Sequence, residues 1–393
     1  MSADVEAAVR LPAAPIDGVC DPRFAAVREA FAANFAERGE VGAAVALSVG
    51  GRMVADLWGG WADGARTTPW RSDTLVNIFS VGKALSAACA LLLVQRGVLE
   101  LDVPVIRWWP EFGTAGKEAI TLRQILAHQA GLPSVREPLE DGAMLDWGRM
   151  VRALEMQAPW WPPGTAHGYH VNTYGYLVGE VVRRAAGISL GTMLRNEIAG
   201  PLGADVHIGL PASEHGRAAE FLWPEGALNS HDEGELDDEA LMRRNAYANP
   251  KGASGAGWVN TPAWRSAEIP STNGHGTARG VAEIYRALAA RTPEGSGPIL
   301  APAIVEAAVS EQSFGEDRVL GRPSRFGLGF QLTQVERPLG PNPRPFGHFG
   351  AGGSLGFYDP DAEVAFGYVG NHMGPRWQNP RNRALLEAIY ASL

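Results

Sequence analysis

Ser80 and Lys83 are the two residues of this chain whose types and spacing could make a nucleophile and its base. Three positions apart, they share one face if the segment is helical, with Ser80 in the first turn. There the free backbone N–H groups and the positive end of the helix favour developing negative charge. From Ala84 to Val94 every residue but Ser86 is apolar or small, with no polar stripe, so the helix is expected to be enclosed on all sides. A lysine in that setting loses hydration, its charged form is disfavoured, and it can accept a proton from a hydroxyl. Ser-x-x-Lys alone occurs in many helices as a cap and a solvated lysine. The apolar run around it is what singles this copy out.

Two other constellations compete with it. Gly352-Gly353-Ser354-Leu355-Gly356 fits G-x-S-x-G, a nucleophile elbow whose serine must stand between a strand and a helix, with Asp and His coming later in order. Here the next residues are Phe357-Tyr358-Asp359-Pro360, a turn toward another strand, and only His372 remains downstream. A Gly-rich strand bordering a cleft is the better reading. His167 and His170 suggest a metal pair, but two histidines without a third ligand at a recognisable spacing do not make a site. No metal and no cofactor are expected.

These residues must be positioned by the rest of a chain of 393 residues, 46% hydrophobic, enough for two domains or one large domain with an inserted lobe. Residues 1 to 20 are Ala- and Pro-rich and read as an arm. Asp21-Pro22 then starts an amphipathic helix through Phe24, Val27, Phe31 and Phe35, and Gly50-Gly51 joins two strand-like runs in a hairpin. After the Ser80 helix, which should stop at Gly97, about 150 residues read as helices and loops. They include Thr121 to His128, capped by Thr121 and stopped by Gly131-Leu132-Pro133, and an acidic loop from Asn229 to Glu239. Trp147, Trp160 and Trp161 could line an apolar pocket or simply pack a core. Strands return at Phe326 to Gln334, Phe346 to Asp359 and Glu363 to Val369, and a helix runs from about Pro380 to Leu393. The expected architecture is α+β: an antiparallel sheet subdomain from residues 1–75 and 255–393, and a mostly helical subdomain from 76–254.

Composition narrows the partners. A net charge of −9 argues against nucleic acid and anionic membranes, and no apolar run is long enough to span a bilayer. The start, Met1 to Glu6, lacks the features of a signal peptide, so a cytoplasmic protein is expected. Cys20 and Cys89 read as free thiols. The oligomeric state is not legible.

Several blocks together carry a resemblance. Ser80-Val81-Gly82-Lys83, TLRQILAHQAGLP (Thr121 to Pro133), PPGTAHGYHVNTYGYLVGEVVRR (Pro162 to Arg184), PSTNGHGTAR (Pro270 to Arg279) and His348-Phe349-Gly350 followed by AGGSLGFYDPD occur in one order. In that order they resemble the serine β-lactamase and penicillin-binding-protein superfamily, and within it the family VIII carboxylesterases related to class C β-lactamases. The resemblance implies a β-lactamase-like fold, with Ser80 as the acylated nucleophile, Lys83 and Tyr169 as its base partners, and an oxyanion hole from the N–H groups of Ser80 and Ala351. Whether Lys83 or Tyr169 is the base stays open. His348-Phe349-Gly350 stands where class C enzymes have Lys-Thr-Gly, and with Trp160 it is expected to contact substrate. Val171 stands where those enzymes have an Asn, with Asn172 one step late.

The function these readings imply is a serine carboxylesterase acting on small acyl esters through an acyl-enzyme. The alternatives are a β-lactamase, D-aminopeptidase or acyltransferase on the same fold, or a ligand-binding or assembly protein that has lost turnover. A neutral His348 in place of a lysine predicts a weak anchor for the carboxylate of a β-lactam, and hence a preference for esters.

Overall fold

The computed structural model describes residues 14–224, 236–290, 298–375 and 378–393. Within the stretch read as an arm, Ile16–Cys20 form an edge strand, β1. The five residues are too few to signal a period within an Ala- and Pro-rich run, and residues 1–13 lie outside the described region. Asp21 accepts from the Arg23 N–H, Pro22 opens a short 3-10 turn, and α1 (Ala25–Glu37) follows, burying Val27 and Phe31. Gly50 and Gly51, at φ 57° and 79°, close the hairpin between β2 (Gly42–Val49) and β3 (Arg52–Gly60).

The middle of the chain is mostly helical, as its punctuation suggests. It contains β4 (Val76–Asn77), α2 (Val81–Gln95), α3 (Leu122–Leu126), α4 (Trp147–Met156), α5 (Thr173–Ala186), α6 (Leu190–Leu194), α7 (Gly200–Leu202) and β5 (Val206–His207). Then come α8 (Asp238–Ala248), α9 (Pro262–Ser266), β6 (His275–Gly276), α10 (Ala278–Ala289) and α11 (Pro302–Val309). Two boundaries differ from expectation. Thr121 and Gln124 form a full capping box, yet α3 ends at Leu126, because His128 turns to φ 60° before Gly131 is reached. The end of the acidic run is not a loop: Asp237 caps α8, and Asp238 and Glu239 sit in its first turn, where the dipole favours them. Residues 225–235 lie outside the described region.

The last third supplies β7 (Ser313–Asp317), β8 (Arg322–Phe326), β9 (Gln331–Leu332), β10 (Phe346–Phe349), β11 (Leu355–Asp359), β12 (Val364–Gly370) and α12 (Pro380–Ser392). Phe346 to Asp359, read as one strand, is two antiparallel strands. Gly352 and Gly353, at φ 81° and 110°, reverse the chain between them. Phe326 to Gln334 likewise breaks into the end of β8 and the short β9, with Gly329 at φ 83° between.

Among the described residues nine strands form one antiparallel sheet in the order β1-β3-β2-β12-β11-β10-β9-β8-β7. Alternate residues of its central strands face two cores. Val45, Leu47, Val364, Phe366 and Tyr368 pack with α1 and α12, whereas Ala44, Ala46, Ala365 and Val369 pack with α2 and α10. A smaller sheet, β4-β6-β5, pins Asn77 beside His275 just before Ser80. Among the described residues no helix is long and apolar enough to cross a membrane, and both cysteines are free.

One ion pair sits wholly inside this frame. Glu40, just past α1, meets Arg381 of α12 at 2.8 Å, and the Tyr368 hydroxyl donates to the same carboxylate. Glu40→Ala would strand a buried guanidinium, a loss of about 3 to 5 kcal/mol. Its urea midpoint should fall well below that of Glu40→Gln, which keeps an acceptor. Equal midpoints for the two variants would show that the pair is not coupled to folding.

Candidate active site

The approach to Ser80 is tightly held. The Asn77 amide donates to Thr272 O at 2.9 Å and accepts from Trp264 Nε1 at 3.0 Å, while the Ile78 N–H donates to Gly274 O at 2.7 Å. Phe79 then adopts φ 48°, a left-handed conformation that is strained for a bulky side chain. Its ring is fixed against Phe221, 4.7 Å away between centroids. The kink delivers Ser80 to the N-terminus of α2, whose residues Val81 to Leu93 are all buried.

Lys83, one turn on, has no exposed surface. Its Nζ lies 3.1 Å from Ser80 Oγ, 2.7 Å from Val171 O and 3.1 Å from Ser271 O. Burial holds its pKa well below the ordinary lysine value. Two of its three neighbours are carbonyls, which can only accept. In its neutral form the amine can give both N–H bonds to Val171 and Ser271 and turn its lone pair to the Ser80 hydroxyl.

Tyr169 completes the group. Its ring centre is 4.7 Å from Lys83 Nζ, and its hydroxyl lies on the Ser80 side of the site. Burial, only partly opposed by the Ser80 side chain, raises its pKa well above the ordinary tyrosine value. The neighbouring histidines hold its loop in place. His170 Nδ1–H donates to Gly168 O at 2.6 Å, and its Nε2 accepts from the Leu132 N–H at 3.0 Å, which assigns a neutral ring. Burial pulls its pKa down to about 3. His167 Nε2 is 3.0 Å from Ser324 Oγ, so the two histidines have separate polar partners and do not converge. Asn172, one step late in sequence, spends its amide on Ala246 O and Ser254 Oγ and its oxygen on the Thr272 hydroxyl.

The turn between β10 and β11 closes the site from the sheet. A Cβ at Gly350 would lie 2.5 Å from Ile78 O, so only glycine lets the two backbones approach. Ser354 Oγ donates to Ile78 O at 3.0 Å, stapling the turn to the segment before Ser80. Asn379, the cap of α12, and Asn382 in its first turn donate to Gly352 O and Gly353 O at 3.0 and 2.9 Å. Among the described residues no backbone carbonyl accepts from the N–H of Ser80 or of Ala351.

The remaining expected contacts divide. His348 lies on the Lys83 side of the sheet, fully buried, with its ring centre 6.1 Å from that of Tyr169. Its Nδ1 bonds Phe349 O at 2.7 Å and its Nε2 has no partner among the described residues. Burial first, and Lys83 second, pull its pKa down to about 3. Phe349 does not reach the site: strand alternation sends it into the core under α1 and α12, and its N–H is taken by Gln331 Oε1 at 3.0 Å. Trp160 packs beside the cluster that holds Tyr169, with its N–H on Ser134 O and the Arg136 guanidinium 3.5 Å over its ring. Ser271 and Asp317 touch this constellation without having been singled out by sequence.

The beta-lactamase family profile matches residues 27–390. The chain belongs to the beta-lactamase family. Within that family it is similar to the esterase/beta-lactamase LipL of Mycobacterium tuberculosis, 34% identical over 368 residues, covering 91% of this chain and 83% of the relative. Its fold is similar to that of a family VIII carboxylesterase, with a TM-score of 0.89 and 41% identity over 96% of this chain and 100% of the other. It is also similar to EstA from Arthrobacter nitroguajacolicus Rue61a, with a TM-score of 0.85 and 33% identity over 96% of this chain and 98% of the other. The beta-lactamase-like α+β architecture is thus established, and the resemblance to family VIII carboxylesterases holds over nearly the whole chain.

Proposed function

We propose that the protein is a serine carboxylesterase that hydrolyses small acyl esters through an acyl-enzyme on Ser80. The observation that carries this is the setting of Lys83: an enclosed amine 3.1 Å from Ser80 Oγ, with two carbonyls claiming its hydrogens. Lys83 takes the Ser80 proton as Oγ attacks the ester carbonyl. The oxyanion is met by the N–H groups of Ser80 and Ala351, each contributing on the order of 3 kcal/mol. Tyr169, kept protonated by burial, is suited to pass a proton to the departing alkoxide and is made good from Lys83. Water then attacks the acyl carbonyl by the same route in reverse, releasing the acid and restoring Ser80. A cytoplasmic location is part of the proposal.

The test is a chromogenic ester. p-Nitrophenyl butyrate should give steady release of p-nitrophenol, and a fluorophosphonate should add its mass to the peptide bearing Ser80. A stoichiometric burst without turnover would favour a binding protein instead, and a label elsewhere would displace Ser80.

Esters should be preferred to β-lactams. His348 is neutral across the working pH range, so no cation there meets a lactam carboxylate. A charge-assisted hydrogen bond contributes about 1.5 to 3 kcal/mol, so kcat/KM for p-nitrophenyl butyrate should exceed that for nitrocefin by at least about tenfold. Faster turnover of nitrocefin would reverse this preference and favour the β-lactamase reading.

A further inference from the structure

The hairpin of β7 and β8, at the far edge of the sheet, carries a buried carboxylate that the mechanism above does not use. Asp317 has no exposed surface. Its Oδ1 accepts from the N–H groups of Tyr169, Val319 and Leu320 at 3.0, 3.0 and 2.9 Å, and its Oδ2 accepts from Ser324 Oγ at 2.8 Å. These hydrogen bonds make burial of the charge tolerable. The Val319 and Leu320 bonds would be enough for a tight turn after β7. The bond to Tyr169, 148 residues away in sequence, is one a turn has no need of.

The same hairpin grips the Tyr169 loop at three further points. Ser324 Oγ is 3.0 Å from His167 Nε2, the Arg318 N–H donates to His167 O at 3.1 Å, and the Phe326 ring lies parallel to the Tyr169 ring, 5.9 Å away. The backbone of Tyr169 is thus fixed by Asp317 and its ring by Phe326. We infer that Asp317 is a positioning residue for Tyr169, holding the phenol hydroxyl in register with Ser80 so that it can deliver a proton to the leaving alcohol. This rests on the esterase reading above.

The test is a double-mutant cycle in the full chain with p-nitrophenyl butyrate. Asp317→Ala should lower kcat about 10- to 100-fold, the scale of a slight misplacement of a reacting group, with KM changed less than about threefold. In a Tyr169→Phe background the same substitution should cost less than about threefold, because the hydroxyl it positions is already gone. Asp317→Asn keeps the Oδ1 acceptor and should restore kcat to within about fivefold of wild type. Equal losses in both backgrounds would show a merely structural role and overturn the inference, as would an Asn variant no better than Ala. Should Asp317→Ala fail to fold, Ser324→Ala replaces it in the cycle. That variant should lower kcat at least about threefold with Tyr169 present and not measurably with Phe; any other result overturns the inference. If Tyr169→Phe is itself fully active, the role given to Tyr169 fails first. If it is impaired but the cycle is additive, only the Asp317 inference fails.

Discussion

Ser80→Ala should leave less than about a thousandth of the ester-hydrolysing activity and no labelling by a fluorophosphonate, because the acyl group then has no atom to be carried on. The matched control is Ser354→Ala. Ser354 is buried and its hydroxyl is committed to Ile78 O, and it leads into β11 where an elbow serine would need a helix. Its loss removes one buried hydrogen bond, about 1 kcal/mol, and should lower the melting temperature slightly while activity stays within about threefold. The measurement is kcat/KM on p-nitrophenyl butyrate for both purified variants. An inactive Ser354→Ala beside a fully active Ser80→Ala would move the nucleophile and undo the mechanism.

Lys83→Ala and Lys83→Arg should both lose at least about 100-fold in acylation, the usual worth of a general base. The arginine variant is the more informative. It restores a cation beside Ser80 but cannot give up its proton, so a role that needs only positive charge would survive it and a base role would not. The pH profile follows from the same burial. Since the Lys83 pKa is lowered, the neutral amine is present above that depressed value and lost as pH falls through it, so acylation should rise with pH and level off before 10.5, the ordinary lysine value. A Tyr169 phenolate acting as base would behave differently, because burial raises its pKa well above 10.0. Single-turnover acylation measured up to pH 10.5 separates the two. A rate still climbing there, or an arginine variant with more than about a tenth of wild-type activity, would take the base role from Lys83.

What sequence revealed and what it hid depend on the kind of interaction involved. The Ser80 helix and the β2–β3 hairpin were legible because burial period, caps and a Gly-Gly turn are written in neighbouring residues. Tyr169 came from an ordered set of blocks resembling a family, and the structure sets it beside Ser80 and Lys83. The carbonyls of Val171 and Ser271 that hold Lys83 were invisible, since every residue has one and no side chain marks it. Asp317 was missed because its partner is 148 residues away. Phe349 was misplaced by a single step of strand alternation: adjacent to His348, it faces the opposite core. The turn at Gly350 to Ser354 was hidden by its glycines, which read equally well as a strand in close contact with another backbone.

The pairing of β2 with β12 has a consequence for how the protein comes to exist. Val49 meets Val364 and Ala43 meets Gly370, so the centre of the sheet joins segments roughly 300 residues apart. At about 5 to 20 residues per second, a ribosome needs roughly 15 to 60 s between making the first of these strands and the second. During that interval the β2–β3 hairpin waits with an open, apolar edge, an opportunity for aggregation. The turn that faces Ser80 is made in the same late stretch as β12. Nascent chains stalled before β12 should therefore be protease-sensitive and inactive, and the enzyme should gain its sheet and its site together, after synthesis has passed β12.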